Sequence, residues 1–235
     1  MFLLKPKFKN GIISALCSKC ERNLMEVELK YAVPDEKTAE WIWSDEELGA
    51  MAEEGSWSVD RFRGLYYDTA DRILTENDIA FRIRREGEKT VATLKWRGSR
   101  EGALYKREEL NVTVEGGVPE KAEPDIFSQS EMGKKVIELT QGSILTPLIE
   151  VDVLRKQVRV DTGKSLLEIS IDLGKIHTRN GDADISEIEI ELFQGDEEDL
   201  MQMGSWLAEK YGLVVEEKSK FARGLEKLGL EKDKC

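Results

Sequence analysis

The segment Glu26-Val27-Glu28-Leu29-Lys30 places a charge at every second position, and several other segments of the chain do the same. Successive side chains on a strand point to opposite faces. Glu26, Glu28 and Lys30 therefore share one face, and Val27, Leu29 and Tyr31 the other. Arg82 and Arg84 lie opposite Phe81 and Ile83. Lys95 lies opposite Leu94, and Arg107 shares a face with Glu109. Arg155 aligns with Arg159, Glu168 with Asp172, and Glu187 with Glu189 and Glu191. A chain made of such segments needs a sheet with one charged and one apolar face.

This period marks strands over 25–31, 57–67, 79–85, 91–97, 104–114, 148–160, 166–173 and 185–193. Gly174 and Asn180-Gly181 are read as turns between the last three, and His177 as a surface residue in that turn region. Apolar residues at helical spacing predict helices over 38–54, closed by Gly55, and over 197–211. A weaker helix covers 124–139, with Gly133 inside it, and a short one covers 219–228. About eight strands with helices between and after them argue for a largely antiparallel sheet or barrel.

The bulk numbers narrow the function. With 235 residues, 40% hydrophobic and 35% charged, the chain is long enough for a sizeable core and is not a disordered polymer. A net charge of −12 argues against sequence-independent DNA or RNA binding, which needs a basic surface. No apolar run approaches the ~18 residues of a membrane-spanning helix. Cys17, Cys20 and Cys235 form no disulfide framework, which points to a reducing, cytoplasmic setting. His177 is the only histidine, so a His-rich metal site is excluded. Any metal is expected to be hard and carboxylate-bound, as Mg²⁺ or Mn²⁺ would be.

Residues 1–24 differ in composition. Lys5, Lys7 and Lys9 precede a short apolar run that resembles a signal peptide only faintly. We read 1–24 as an extension outside the fold, with Met25 as the functional start. Cys17-Ser18-Lys19-Cys20 has no second half and is read as incidental. The folded domain is expected over 25–228, with 229–235 as a tail.

Two readings of the charged faces stand at this point. They are solvated faces of an ordinary sheet, or they surround a ligand. Three carboxylates at i, i+2 and i+4 repel unless cations lie between them. A metal would relieve that repulsion, and the arginine-rich strands would hold an accompanying anion.

The motifs resemble those of the CYTH proteins, or triphosphate tunnel metalloenzymes. Glu26 to Lys30 is similar to the ExExK signature. Tyr66-Tyr67-Asp68-Thr69, Ile79 to Arg85, Thr93-Leu94-Lys95, Lys106 to Glu109, Glu168 to Asp172, Ser186 to Leu192, and Ser219-Lys220 with Arg223-Gly224 follow in the family's order. The resemblance covers about residues 25–228. It implies an α+β fold: an eight-stranded antiparallel barrel, open as a tunnel, with a charged interior and helices packed outside.

The resemblance also implies roles. Lys30, Arg82, Arg84, Lys95, Arg107, Arg155 and Lys220 bind phosphate, with Arg159 and Arg223 as weaker candidates. Glu26, Glu28, Glu187, Glu189 and Glu191 bind Mg²⁺ or Mn²⁺, with Asp172 assisting. Glu26, Glu28 and Lys30 form the catalytic set, the two glutamates orienting an attacking water. Asp68 and Thr69 are read as structural.

The motif wording resembles bacterial inorganic triphosphatases most closely. That implies hydrolysis of inorganic triphosphate to pyrophosphate and phosphate. Thiamine triphosphate, ATP or other nucleoside triphosphates, cyclisation of ATP, and a non-catalytic polyphosphate- or nucleotide-binding barrel stay open as alternatives, as does a homodimer. Neither DNA nor a membrane is expected as a partner.

Overall fold

The computed structural model describes residues 23–230. Most of the expected N-terminal extension, with Cys17 and Cys20, lies outside the described residues, as does most of the expected tail. The first strand, β1 (Asn23–Ala32), takes in the last two residues of that extension.

The next elements are α1 (Glu36–Trp43) and α2 (Glu46–Met51), then β2 (Ser58–Asp68) and α3 (Ile73–Glu76). β3 (Ala80–Glu86), β4 (Lys89–Glu101) and β5 (Leu104–Val114) follow. A 3-10 turn (Pro124–Phe127) precedes α4 (Glu131–Thr140). Three long strands come next: β6 (Thr146–Asp161), β7 (Leu166–Thr178) and β8 (Gly181–Gln194). The chain continues with α5 (Glu197–Tyr211), β9 (Val214–Val215) and α6 (Lys220–Lys227).

All strand pairings are antiparallel, in the order β5-β4-β3-β2-β6-β7-β8-β1. β1 also pairs with β5, which closes these eight strands into a barrel. β9 adds a short pairing at the end of β1. Closure removes the free edges that an open sheet of this size would expose. Among the described residues no helix is long and apolar enough to cross a membrane.

Two expected helices are each split. The 38–54 segment breaks because the Asp45 carboxylate caps a new helix, accepting from Leu48 N at 2.8 Å. It ends at Met51, since Ala52 bridges to Val160 and Glu53 N donates to Arg159 O. In the 124–139 segment, Ser130 caps α4 by accepting from Gly133 N at 2.8 Å. Gly133 lies so close to the preceding turn that a Cβ would sit 1.8 Å from Phe127 O.

Gly174 is no turn residue. It lies inside β7 opposite Val153, where a Cβ would come 2.1 Å from Asp152 O. His177 is also within β7, half exposed, with Nδ1 2.9 Å from Asp182 Oδ1. The turn falls beyond them, at Asn180-Gly181, where Gly181 adopts φ +112°.

The apolar faces pack outward. Leu29, Tyr31, Ile169, Ile171, Ile188 and Ile190 meet α1, α2 and α5 through Ile42, Leu48, Leu200 and Leu207. Leu29 and Leu207 are fully buried, and each such side chain contributes roughly 1.5–3 kcal/mol. α5 approaches closely because Gly204 faces β1, and a Cβ there would lie 2.3 Å from Leu29 Cδ1. Phe81, Ile83, Leu94 and Trp96 form a second cluster with Phe127 and Val136.

The third cluster faces inward. Phe62, Tyr66, Ile149, Val151, Val153, Ile176 and Ile185 share the barrel's inner face, and α6 packs on them. Helices α1 to α5 lie outside, as expected, but α6 closes part of one mouth. One end of the interior is therefore apolar.

Candidate active site

Alternation along the eight strands turns one set of side chains into the lumen. The resulting cavity is about 240 Å³. It is lined by Glu26, Glu28 and Lys30 of β1, Arg82, Arg84 and Glu86 of β3, and Lys95 of β4. Arg107 and Glu109 come from β5, and Arg155 from β6. Glu168 and Asp172 come from β7, and Glu189 and Glu191 from β8. Lys220 enters from the start of α6. Ser219 caps that helix, accepting from Ala222 N, which fixes Lys220 at the mouth.

Opposite charges interleave along the β1 side. Glu26 accepts from Lys95 Nζ at 2.7 Å and from Arg107 Nε at 2.7 Å. Glu28 accepts from Arg107 Nη2 at 3.0 Å, with Lys30 Nζ 3.3 Å away. Burial by itself would raise the Glu26 carboxyl, but Lys95 and Arg107 hold it well below the usual range. Lys30 is 1% exposed. Burial would discharge it, yet Glu28 and Glu189 keep its ammonium charged.

A second cluster joins β6, β7, β8 and α6. Arg155 donates to both Asp172 oxygens and to Glu189. Lys220 lies 2.7 Å from Asp172 and 3.0 Å from Glu189, and also pairs with Glu187. Asp172 is lowered to about 2 because Arg155 and Lys220 overcome its burial. Glu187 is raised by burial, which outweighs Lys220 and Lys30. Asp172, Glu187 and Glu189 each offer a carboxylate oxygen within 4.8 Å of the others. An all-oxygen, anionic set of this kind suits a hard divalent cation. Glu191 forms no ion pair among the described residues: burial and the Glu26 charge push it up to about 8, against the pull of Lys95.

The β3 side is different. The Arg82 Nε is buried without a hydrogen-bond partner among the described residues, and Arg82 forms no ion pair there. Among the described residues Arg84 is hydrogen-bonded by Glu86 alone, at 2.8 Å through Nε. Burial, with Arg82 and Arg155 nearby, lowers the Arg84 guanidinium despite that partner. Phe62 supports this corner, with the Arg84 and Arg155 guanidiniums 4.7 and 5.5 Å from its ring centroid. Gly64 leaves room beside them, since a Cβ would sit 3.2 Å from Arg84 Cβ.

Three of the expected residues stand apart from the cavity wall. Glu187 is fully buried behind Lys220 and Arg223. Arg223 pairs with Glu187 at 2.5 Å and Glu216 at 3.4 Å. Arg159 is half exposed, 3.5 Å from Glu168 and over the Phe193 ring. Asp68 is buried and accepts from Thr69 N, Leu74 N and Thr75 N, tying the end of β2 to α3. Its role is structural.

Glu86, Glu109, Phe62, Tyr66 and Ser170 also line the lumen and were not among the expected site residues. Strand parity carries the signal for all of them. Burial opposes ionisation of Tyr66, yet Arg82 and Lys95 turn the balance and lower its hydroxyl.

Comparison with known proteins agrees with this architecture. An adenylyl cyclase candidate from Hippeastrum, described as having a dominant triphosphatase activity, superposes with a TM-score of 0.64 at 20% identity, covering 86% of this chain and 96% of that one. An adenylate cyclase candidate from Bacillus halodurans gives 0.53 at 18%, covering 85% and 96%. In sequence, the chain is 31% identical over 160 residues to an inorganic triphosphatase of Haemophilus influenzae. That match takes in 68% of this chain and 44% of the relative, so the chain spans less than half of that protein's length. The CYTH domain family matches residues 24–225. With the barrel, the interleaved lumen and this match in hand, the chain belongs to the CYTH domain family.

Proposed function

We propose that the lumen hydrolyses a triphosphate, with inorganic triphosphate as the smallest substrate that it takes. The observation that carries this reading is the unequal pairing of the lumen's cations. A triphosphate brings about four to five negative charges and needs several fixed cations. Arg82 and Arg84 are half-buried at the lumen wall; Arg82 Nε lacks a hydrogen-bond partner among the described residues and Arg84 is held by Glu86, so an anion beside them would supply further hydrogen bonds. Arg155, Lys95, Arg107, Lys30 and Lys220 surround the same space.

Asp172, Glu187 and Glu189, with Glu26, Glu28 and Glu191, would hold Mg²⁺ or Mn²⁺. Such a cation, when bound, supplies positive charge against the phosphate oxygens. The chain's own residues position the substrate. Arg82 and Arg84 fix one end of the phosphate chain, and Lys95 and Arg107 the other. Glu26 and Glu28 orient a water in line with the terminal phosphorus. Its oxygen forms the new P–O bond, the bridging P–O bond breaks, and pyrophosphate leaves. Glu28 accepts the water's proton. Positioning and electrostatics are sufficient for this chemistry, with no covalent nucleophile.

The test is phosphate release from inorganic triphosphate, ATP and thiamine triphosphate, each with Mg²⁺, Mn²⁺ or EDTA. Metal-dependent release from inorganic triphosphate is expected. Binding without turnover of any of the three would make this a non-catalytic anion-binding barrel. Cyclic AMP from ATP would make it a cyclase.

A further inference from the structure

The helices clothe the outside of the barrel unevenly. α1, α2 and α5 cover β1, β7, β8 and the far end of β6. α3, α4 and the 3-10 turn cover β3, β4 and β5. Among the described residues, the middle of β2 and β6 has no such cover. Phe62 and Arg155 turn into the lumen, so Val59, Arg61 and Arg63 of β2 point outward, as do Glu150, Asp152 and Leu154 of β6. Val59 is 51% exposed and Leu154 43%. Half-buried Leu173 of β7 lies opposite Leu154 in register and widens the apolar centre. Trp57, two residues before Val59, is also exposed and packs edge-on to Trp43 at 4.4 Å.

The charges on this face are ordered by strand. The arginines run along β2 and the acids along β6, with Arg61 paired to Asp152 and Arg63 to Glu150. In register, Arg61 lies opposite Leu154 and Arg63 opposite Asp152. The whole chain carries a net charge of −12, so two copies repel over most of their surface. Here the arginines balance the acids and that repulsion is absent. A basic row beside an acidic row is also its own complement. A two-fold axis parallel to the strands, between two such faces, lays β2 of each copy over β6 of the other. Arg63 then meets Asp152 of the second copy, and the stem of Arg61 lies on its Leu154. An axis across the strands would instead set arginine on arginine.

We infer that the bare outer face of β2 and β6 binds a second copy of this chain, forming a two-fold dimer. Leu154 lies at its centre and the arginine–carboxylate pairs lie around it. The strip spans seven residues of β6 and three strands, roughly 23 Å by 14 Å. That is less than the ~800 Å² each partner gives to a permanent interface, so the dimer is reversible and forms at micromolar concentrations. The contact is on the outer wall of the barrel and leaves the lumen and its mouths untouched. Turnover per chain is therefore the same in monomer and dimer.

Sedimentation equilibrium of the full chain from about 1 to about 200 μM tests this, and the wild type should pass from monomer to dimer within that range. Leu154→Thr keeps a strand-forming residue and counts twice in a symmetric contact, so Kd should rise about tenfold or more. Arg63→Glu combined with Glu150→Arg keeps that ion pair within each chain, yet sets a carboxylate against Asp152 of the other copy. It should also raise Kd about tenfold or more. Both variants should keep the wild-type melting temperature, measured at low concentration. Hydroxyl-radical labelling of Trp57 and Leu154 gives a second readout and should fall as the dimer forms. A wild-type chain that stays monomeric to about 200 μM would overturn the inference, as would a dimer that either variant leaves intact. Leu154 protected at every concentration in a monomer would assign the face to residues 1–22 of the same chain, and would overturn it too.

Discussion

The two sides of the lumen handle charge differently. On the β1–β7–β8 side, cations and carboxylates neutralise each other: Arg107 with Glu26 and Glu28, Arg155 and Lys220 with Asp172 and Glu189. On the β3 side, Arg82 has no ion-pair partner among the described residues and Arg84 has only Glu86. The Nε atoms of Arg82 and of Arg223 are both buried without a hydrogen-bond partner among the described residues, so the contrast rests on ion pairing: Arg223 has Glu187 and Glu216, and Arg82 has no such partner there. On the proposed reading, the asymmetry separates charge that the barrel pairs internally from charge that a ligand would pair, although both look alike as alternating residues.

Substitutions can break that comparison. Glu28→Gln keeps the shape of the paired side and removes a carboxylate, so kcat should fall about 10²–10⁴-fold with the fold intact. Phosphate-release kinetics and a melting curve check both halves, and retained kcat would remove Glu28 from the mechanism. Arg107→Met should act on stability as well, because it leaves Glu26 and Glu28 buried without their shared partner. A loss of about 3–5 kcal/mol in denaturant unfolding is expected.

Arg82→Met sharpens the contrast. It strands no carboxylate, so stability should hold or rise. Affinity for triphosphate should fall about 10–100-fold, seen mainly in KM, as one charge-assisted contact is lost. Equal destabilisation by Arg82→Met and Arg107→Met would erase the distinction between the two sides.

Glu191 gives a pH signature. Its carboxyl is raised to about 8 in the folded, metal-free chain, above its ordinary value of 4.5. A raised folded value means that its contribution to stability is present below 4.5 and is lost as pH rises toward 8. A cation near Glu191 must displace that proton. The gain in melting temperature on adding Mn²⁺ should therefore grow from pH 6 to pH 8. A flat profile would place the cation away from Glu191. Gly204→Ala should have a smaller effect, about 1–3 kcal/mol of stability without any change in KM, because the new Cβ meets Leu29.

Much of this was legible in strand parity. Glu26, Arg82, Arg107, Asp172 and Glu189 each lie on the inward face that alternation assigned to them. What alternation cannot show is how far along the lumen a residue lies. Arg159 has the same parity as Arg155, yet ends half exposed because β6 runs on past the cavity. Helix breaks at Asp45 and Ser130 came from single capping residues inside continuous apolar patterns. Gly174 carried a turn-like signal, but its true cause is close strand approach, a tertiary fact. The inward packing of α6 was hidden for a related reason. Its apolar contacts, Ile149, Ile176 and Ile185, share a face with charged residues and break the inner pattern only at one end.

The most direct test of the account is a crystal structure with inorganic triphosphate and Mn²⁺, read by anomalous scattering. Mn²⁺ is expected among Asp172, Glu187, Glu189 and their neighbours, with phosphate oxygens hydrogen-bonded to Arg82 and Arg84. Triphosphate bound outside the lumen, or inside it with Arg82 still unpartnered, would contradict it.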